Sequence, residues 1–289
     1  MIDKNERLIK AHAAKAFETT EDKVLIINRL MGGMSHLTYH IRIENKDYTY
    51  RIIGMDGNLF VDRKTELENL NRIIPLKLNN ETVYFDVVSG DKAAKFVEGA
   101  VLTDLDFHEH LSEIVFALKT LHQTKIEPAS DYELIKRLDL YETFTNIRSN
   151  KYLELKKVWV KKYLKERASQ PKVFCHNDAQ RSNIVIGQKQ LYLLDWEYAG
   201  YNEFYYDIAS FGNVKFEDAL VLLDAYLGRK ATKKEQDIVR FYRMFQALQW
   251  HQVATRKDIS GLSKDVGFDF KMLAEKYLDL AEKLYLEMN

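Results

Sequence analysis

The spacing of apolar residues changes its period once along the chain, and this change constrains the fold more than any other feature. Between about Val24 and Val97 apolar and polar residues alternate, most clearly over Leu37–Ile43, which is typical of half-buried strands. Beyond Gly99 apolar residues recur every three or four positions, which is typical of helices. We therefore predict an α+β fold in which a small antiparallel sheet is followed by a larger, mostly helical part.

The sheet part is predicted to contain four strands and one main helix. The helix is expected near Asp62–Ile74, where Asp62 can cap the N-terminus and Leu67 and Leu70 face inward. The predicted strands are Leu37–Ile43, Tyr48–Ile53, Val83–Val88 and Ala93–Val97. No flexible linker is evident, so we divide the chain into an N-terminal lobe, 1–98, and a C-terminal lobe, 99–289.

Composition excludes several classes of function. Lys and Arg together number 43, as do Asp and Glu, so there is no overall basic field for nucleic acid. The single cysteine, Cys175, cannot form an intramolecular disulfide or a cysteine metal site. The charged N-terminus does not look like a secretory peptide, and no apolar run is long enough to span a membrane. We expect a cytoplasmic protein without a nucleic-acid partner or membrane insertion; the sequence leaves the oligomeric state open.

A polar loop between short apolar runs, within Lys172–Leu194, carries the most informative residues. Asp178 and Asn183 lie on this loop, and Asp195 follows the second apolar run. Carboxylate and amide oxygens are ligands that Mg²⁺ accepts, so Asn183 and Asp195 could bind the metal while Asp178 accepts a proton from a hydroxyl. Each residue alone could merely cap a turn or end a strand. The ordered set favours phosphoryl transfer.

The same residues support a resemblance. His176-x-Asp178-x4-Asn183 with Asp195 resembles the catalytic signature of the protein-kinase-like superfamily, in its aminoglycoside-phosphotransferase and choline-kinase branch. The run Asp195–Ala209 is similar to the choline and ethanolamine kinase signature. The resemblance implies a protein-kinase-like two-lobe fold and the cofactors ATP and Mg²⁺.

The resemblance also implies roles for individual residues. Asp178 would be the catalytic base, and Asn183 and Asp195 would be the Mg²⁺ ligands. His176 would hold the catalytic loop in shape. Asp207 would anchor that loop by accepting its hydrogen bonds, although a helix cap is an alternative interpretation.

Arg51 takes the position at which many kinases have a phosphate-binding lysine on a strand. Choline kinases resemble this chain in using arginine, whose guanidinium suits phosphate oxygens. Its predicted partner is Glu66 on the sheet-part helix. The alternative is that Arg51 is a solvated charge on the exposed face of an edge strand.

Two further segments resemble nucleotide-binding elements. Gly32 and Gly33, followed by Ser35, would let backbone amides and a hydroxyl approach phosphate, although a glycine pair is often only a tight turn. Phe96 and Val97 lie in a segment resembling the lobe hinge, whose backbone would bind adenine.

The acceptor pocket is predicted from aromatic residues, because a quaternary ammonium is bound by aromatic faces with a carboxylate nearby. Tyr198 follows the predicted metal ligand closely, Trp250 lies in a helical run resembling the choline-pocket helix, and Tyr201 is a third candidate. Glu197 is the predicted polar partner, or else it orients the loop. Aromatic residues at helical spacing are also common in cores.

The sequence thus predicts a phosphotransferase with an alcohol acceptor, namely an ATP-dependent choline kinase that produces phosphocholine and ADP. Bacterial members that the chain resembles supply phosphocholine for surface polymers. The alternatives are a kinase for ethanolamine or another small amino alcohol, an aminoglycoside-phosphotransferase-like kinase, and a catalytically silent kinase-like module.

Overall fold

A computed structural model of the protein describes residues 4–30, 36–146 and 148–288. The chain forms two compact units. The first contains the residues up to Phe107 together with Ser182–Glu197, and the second contains His108–Arg181 together with the residues from Tyr198 onward. The division of the chain into a nucleotide-binding lobe, 1–98, and a catalytic lobe, 99–289, stays a prediction.

The described residues form a sheet-rich part followed by a mostly helical part, as the periodicity predicts. The strands are β1 (Leu25–Leu30), β2 (His36–Ile43), β3 (Lys46–Ile53), β4 (Thr82–Phe85), β5 (Lys92–Lys95), β6 (Gly99–Val101), β7 (Val173–Cys175), β8 (Ile184–Gly187), β9 (Leu191–Leu193) and β10 (Gly200–Asn202). The helices are α1 (Lys4–Ala16), α2 (Arg63–Arg72), α3 (Leu111–His122), α4 (Leu134–Thr145), α5 (Asn150–Glu166), α6 (Tyr205–Phe211), α7 (Phe216–Leu227), α8 (Lys233–Ile259), α9 (Leu262–Val266) and α10 (Phe270–Glu287).

An antiparallel sheet of five strands, in the order β1-β2-β3-β5-β4, dominates the first unit. It confirms the predicted antiparallel sheet and adds β1 to the four predicted strands. The predicted third strand is shorter than expected, because Asp86 begins a turn in which its carbonyl accepts the N–H of Gly90. Gly90 has φ +82°, which favours glycine. A second sheet, in the order β6-β8-β9, explains why Ser182–Glu197 belongs to this unit.

Helix α1 completes the apolar core of the first unit, and the sequence interpretation missed it. Ile9 and Ala13 on α1 are fully buried in a cluster with Ile41 of β2 and Tyr50 of β3. The predicted helix is confirmed as α2, where the Asp62 carboxylate accepts the backbone N–H groups two and three residues later. Its buried face is largely polar: Arg63, Glu66 and Asn69 are buried with Leu70, whereas Leu67 is only partly buried.

The second unit is built around α8. This helix is buried along most of its length and packs against α4, α6 and α10. A two-stranded sheet of β7 and β10 lies in the same unit and frames the loop that follows β7. Among the described residues no helix is both long and apolar enough to cross a membrane.

Candidate active site

The loop after β7 is anchored by Asp207, which α6 carries into the interior of the second unit. The two oxygens of this fully buried carboxylate accept the backbone N–H groups of His176 (2.8 Å) and Asn177 (2.7 Å). Asn177 has φ +62°, a left-handed conformation that asparagine tolerates better than most residues. Asp207 therefore accepts hydrogen bonds from the loop after β7, and its role in catalysis stays a prediction.

His176 shapes the next turn of the loop. Its ring is fully buried, and Nδ1 accepts the backbone N–H of Asp178 at 3.2 Å. The Asp178 carboxylate is half-buried and accepts a hydrogen bond from the side-chain amide of Gln180 at 3.0 Å. The backbone N–H of Gln180 also donates to the carbonyl of Asp178 at 2.8 Å, so hydrogen bonds hold the backbone on both sides of Asp178. The role of Asp178 as the base stays a prediction.

The structure adds His122, which the sequence interpretation missed, to this anchor. His122 is the last residue of α3. Its Nε2 lies 3.0 Å from Oδ2 of Asp207, and its Nδ1 lies 2.9 Å from the hydroxyl of Tyr226. Because a carboxylate only accepts, Nε2 carries the proton and Nδ1 accepts from Tyr226. The sequence hints at this contact only in that His122 is a polar residue next to the apolar stripe of α3.

Asp178 also acts electrostatically on residues of the second unit that lie far from it in sequence. Burial raises the pKa of Tyr277; the Arg243 charge opposes this shift and the Asp178 charge adds to it. Burial likewise raises the pKa of Tyr132, to which Asp178 again contributes. Two tyrosines and a buried arginine therefore share the electrostatic environment of the predicted base.

In the first unit, Arg51 on β3 forms the predicted ion pair with Glu66 on α2. Nη2 lies 2.9 Å from Oε1 of Glu66, and Nη1 lies 3.0 Å from Oδ1 of Asp195. The alternative of a solvated residue on an edge strand is wrong, since β3 is the central strand of the sheet and Arg51 is buried. The predicted phosphate-binding and metal-binding side chains therefore contact each other directly.

Two further cations, both missed from the sequence, complete this cluster. Nζ of Lys92 lies 3.3 Å from Glu66, and Arg63 lies 2.5 Å from Glu66 and 2.8 Å from Glu197. Burial would raise the pKa of Glu66, but the charges of Arg51 and Lys92 outweigh burial and lower it to about 2. The pKa of Lys92 is lowered, chiefly by burial. Glu66 is therefore ionised in the fold.

The predicted metal ligands lie at the open end of the β8–β9 hairpin. The backbone N–H of Leu194 donates to the carbonyl of Asn183 at 2.8 Å, which brings the backbone of Asn183 next to that of Asp195. The Asp195 side chain is 32% exposed. An amide oxygen and a partly exposed carboxylate form a donor set that fits Mg²⁺. Asp178 belongs to the second unit, so the convergence of all three residues stays a prediction.

Glu197 is already paired within the first unit. Its Oε2 lies 2.8 Å from Nη1 of Arg63 and 3.2 Å from Nε2 of His36. Burial would raise its pKa, but His36 and Arg51 hold the pKa well below its usual range. The geometry supports the alternative that Glu197 orients the loop; its role as polar partner of the acceptor stays a prediction.

The predicted aromatic residues of the acceptor pocket all lie in the second unit. Tyr198 is buried, with the Arg137 guanidinium 5.6 Å from its ring centroid. Tyr201 is a partly exposed residue of β10, and Trp250 is a half-buried residue of α8. Their role in acceptor binding stays a prediction.

The predicted hinge has one backbone group already engaged. The N–H of Phe96 donates to the carbonyl of Asp47 at 3.0 Å, and the Phe96 ring stacks on His40. This leaves the Phe96 carbonyl and the Val97 backbone as the groups that could meet adenine. Gly32, Gly33 and Ser35, the predicted phosphate loop, lie outside the described residues.

Comparisons with known proteins relate this architecture to a family. A family model described as "Choline/ethanolamine kinase" matches residues 27–219, more than half of the chain. Protein LicA of Haemophilus influenzae is 25% identical over 275 residues, covering 89% of this chain and 79% of the relative.

Solved structures share the fold. The chain is similar to the crystal structure of choline kinase LicA from Streptococcus pneumoniae, with a TM-score of 0.76 at 20% identity and coverage of 96% and 99% of the two chains. The GDP complex of an aminoglycoside 2'-phosphotransferase has a TM-score of 0.65 at 14% identity, with coverage of 95% and 98%. The predicted protein-kinase-like fold is confirmed, and the chain belongs to the choline/ethanolamine kinase family.

Proposed function

We propose that this protein is an ATP-dependent choline kinase, which transfers the γ-phosphoryl group of ATP to the hydroxyl of choline. The observation that carries the proposal is the contact of Arg51 with both Glu66 and Asp195. A buried basic side chain on a strand, oriented by a helix glutamate and adjacent to a carboxylate, corresponds to the lysine–glutamate pair and metal-binding aspartate with which protein kinases hold the phosphates and metal of a nucleotide.

The roles follow from the chemistry of the side chains. Arg51 would bind phosphate oxygens through the guanidinium that Glu66 orients, with Gly32, Gly33 and Ser35 supplying further donors and Phe96 and Val97 meeting adenine. Asn183 and Asp195 would hold Mg²⁺, which when bound neutralises charge on the phosphates. Asp178 would accept the hydroxyl proton as the choline oxygen forms its bond to the γ-phosphorus and the bond to the ADP oxygen breaks.

The choice of acceptor rests on the family and on the predicted aromatic residues. The crystal structure of choline kinase LicA from Streptococcus pneumoniae is similar to this chain over nearly its whole length. Tyr198, Trp250 and Tyr201 would provide aromatic faces for a quaternary ammonium. Ethanolamine is the second candidate, because the family comprises choline and ethanolamine kinases. We further propose that the protein acts in the cytoplasm on small molecules and not on nucleic acid.

The test is an ADP-release assay with Mg²⁺ and ATP, run with choline, ethanolamine, an aminoglycoside or no acceptor. The blank is Asp178→Asn, which keeps the shape of the side chain but cannot accept the proton. The matched control is Asp237→Asn, a surface aspartate of α8 in the same unit. We expect choline-dependent turnover that the control retains and the blank loses by at least about 100-fold.

Other outcomes would change specific statements. Turnover with ethanolamine and not choline would refute the aromatic acceptor site while leaving the kinase assignment intact. Full activity of Asp178→Asn would refute the assignment of the base. ATP binding without turnover for any acceptor would favour a catalytically silent module.

A further inference from the structure

Arg63 is the most completely engaged cation of the first unit, and the proposed chemistry assigns it no role. Its Nη1 bridges Oε2 of Glu66 and Oε2 of Glu197, at 2.5 and 2.8 Å. Nε donates to the side chain of Asn58 at 2.8 Å, and Nη2 donates to the carbonyl of Gly57 at 3.2 Å. The side chain is 3% exposed. A guanidinium so deeply buried and bound at all three nitrogens is held in one orientation.

The charge balance of the cluster depends on this bridge. Three carboxylates, from Glu66, Asp195 and Glu197, face three cations, from Arg51, Arg63 and Lys92. The Glu197 charge acts to raise the pKa of Glu66, so the two carboxylates repel each other. Without Arg63, Arg51 would be drawn towards both carboxylates and away from Asp195.

The backbone at Asp195 also needs support. Its φ is +66°, a left-handed conformation that costs a residue other than glycine free energy and persists only where the surroundings impose it. The next two residues supply that restraint. The indole N–H of Trp196 donates to the carbonyl of Leu193 at 2.7 Å, and Glu197 is bound by Arg63.

We propose that Arg63 is a positioning residue for the metal ligand: through Glu197 it holds Asp195 in its left-handed conformation, and it keeps Arg51 available for phosphate. This inference rests on the proposed function, since it takes Asp195 as the metal ligand. It links α2 to the segment after β9 by a contact separate from the Arg51–Glu66 pair.

The test measures metal and nucleotide binding directly. Binding of Mn²⁺ in the presence of ADP is followed by electron paramagnetic resonance, and binding of ADP without metal by calorimetry. We expect Arg63→Gln to weaken Mn²⁺ binding by about 10-fold or more, as is usual when a residue that orients a metal ligand is lost. Arg63→Lys should recover part of this loss, because it restores charge but not the fork. Arg72→Gln, at the exposed end of α2, is the matched control and should bind Mn²⁺ as the unmodified protein does.

A double-mutant cycle with Glu197→Gln tests the route of the effect and guards against unfolding. The double variant removes one charge of each sign from the buried cluster, so it should fold even if Arg63→Gln does not. If Arg63 acts through Glu197, the double variant should bind Mn²⁺ no more weakly than Glu197→Gln alone.

Three results would decide whether Arg63 positions Asp195, independently of which acceptor the protein phosphorylates. Unchanged Mn²⁺ affinity in a folded Arg63→Gln protein would overturn the inference. Additive losses in the cycle would also overturn it, because Arg63 would then act independently of Glu197. If the unmodified chain phosphorylates no acceptor but Arg63→Gln still loses Mn²⁺ affinity, the positioning role stands and the proposed function fails.

Discussion

The anchoring of the loop after β7 by Asp207 can be tested with Asp207→Asn, which replaces one carboxylate oxygen by an amide nitrogen. The carboxylate accepts two backbone N–H groups, from His176 and Asn177, and the imidazole N–H of His122. The asparagine carbonyl can take the place of Oδ1 and keep the bond from Asn177. Its amide nitrogen then replaces Oδ2, where it can donate to His122 once that ring changes tautomer, but it faces the N–H of His176 donor to donor.

The expected cost follows from the one bond that cannot be restored. Hydrogen bonds to a charged group contribute about 1.5–3 kcal/mol, and a buried donor left without an acceptor costs about 1–3 kcal/mol. Asp207 is fully buried, so water cannot substitute. We expect the free energy of unfolding to fall by about 3 kcal/mol. Turnover should fall as well, because the backbone that carries Asp178 loses one of its attachments.

Urea denaturation followed by tryptophan fluorescence measures the change, with steady-state turnover measured in parallel. The control is Asp224→Asn, since Asp224 also accepts a backbone N–H, from Ala231 at 2.7 Å, but is partly exposed to water. We expect the control to lose less than about 1 kcal/mol. If Asp207→Asn loses no more stability than this control and retains its turnover, the anchoring argument is refuted.

The remaining predictions concern stability. The pKa of Glu66 is about 2 in the fold, against an ordinary 4.5, so its contribution to the free energy of unfolding is complete above about pH 4.5 and is lost as the pH falls towards 2. Glu66→Gln should therefore flatten the dependence of the free energy of unfolding on pH between about 4.5 and 2, and an unchanged slope would contradict the ion pairing. Thr232→Ala removes the capping box with Glu235 at the start of α8 and should lower the free energy of urea unfolding by about 1 kcal/mol; no change would mean that the cap is replaced by water. Trp159→Phe keeps an aromatic ring beside Phe241 but removes the hydrogen bond from the indole N–H to the Phe241 carbonyl. A loss of about 1 kcal/mol is expected in the same assay, and a neutral result would show that the indole bond adds nothing.

Elements whose burial follows from apolar periodicity could be predicted from the sequence. β2 and β3 lie where alternation indicated strands, and α3 and α10 lie in the part of the chain where helical spacing predominates, because each buries an apolar face. Helix α2 was located by its cap and its leucines, yet its buried face is charged. Periodicity assigns charges to the solvent side, so it cannot show that Arg63 and Glu66 turn inward to neutralise partners distant in sequence.

The residues of the candidate site likewise include some that could be predicted from the sequence and some that could not. Asp178, Asn183 and Asp195 could be selected because their order and spacing are specific, and the Arg51–Glu66 pair could be inferred by resemblance. Arg63, Lys92 and His122 could not, because each acts through a tertiary contact with a residue that the motif already contained. A lone basic or histidine residue carries no local pattern that distinguishes such a contact from an ordinary surface charge.

The two left-handed residues of the site, Asn177 and Asp195, show why these unpredicted residues matter. Neither position holds glycine, the residue that adopts a positive φ without strain. A glycine at 195 would relax the backbone but remove the carboxylate that contacts Arg51. The chain keeps the chemically useful side chain, and its surroundings impose the conformation: Asp207 binds the backbone at Asn177, and the Arg63–Glu197 pair fixes the segment at Asp195. The anchoring residues should therefore tolerate substitution as poorly as the residues that they hold.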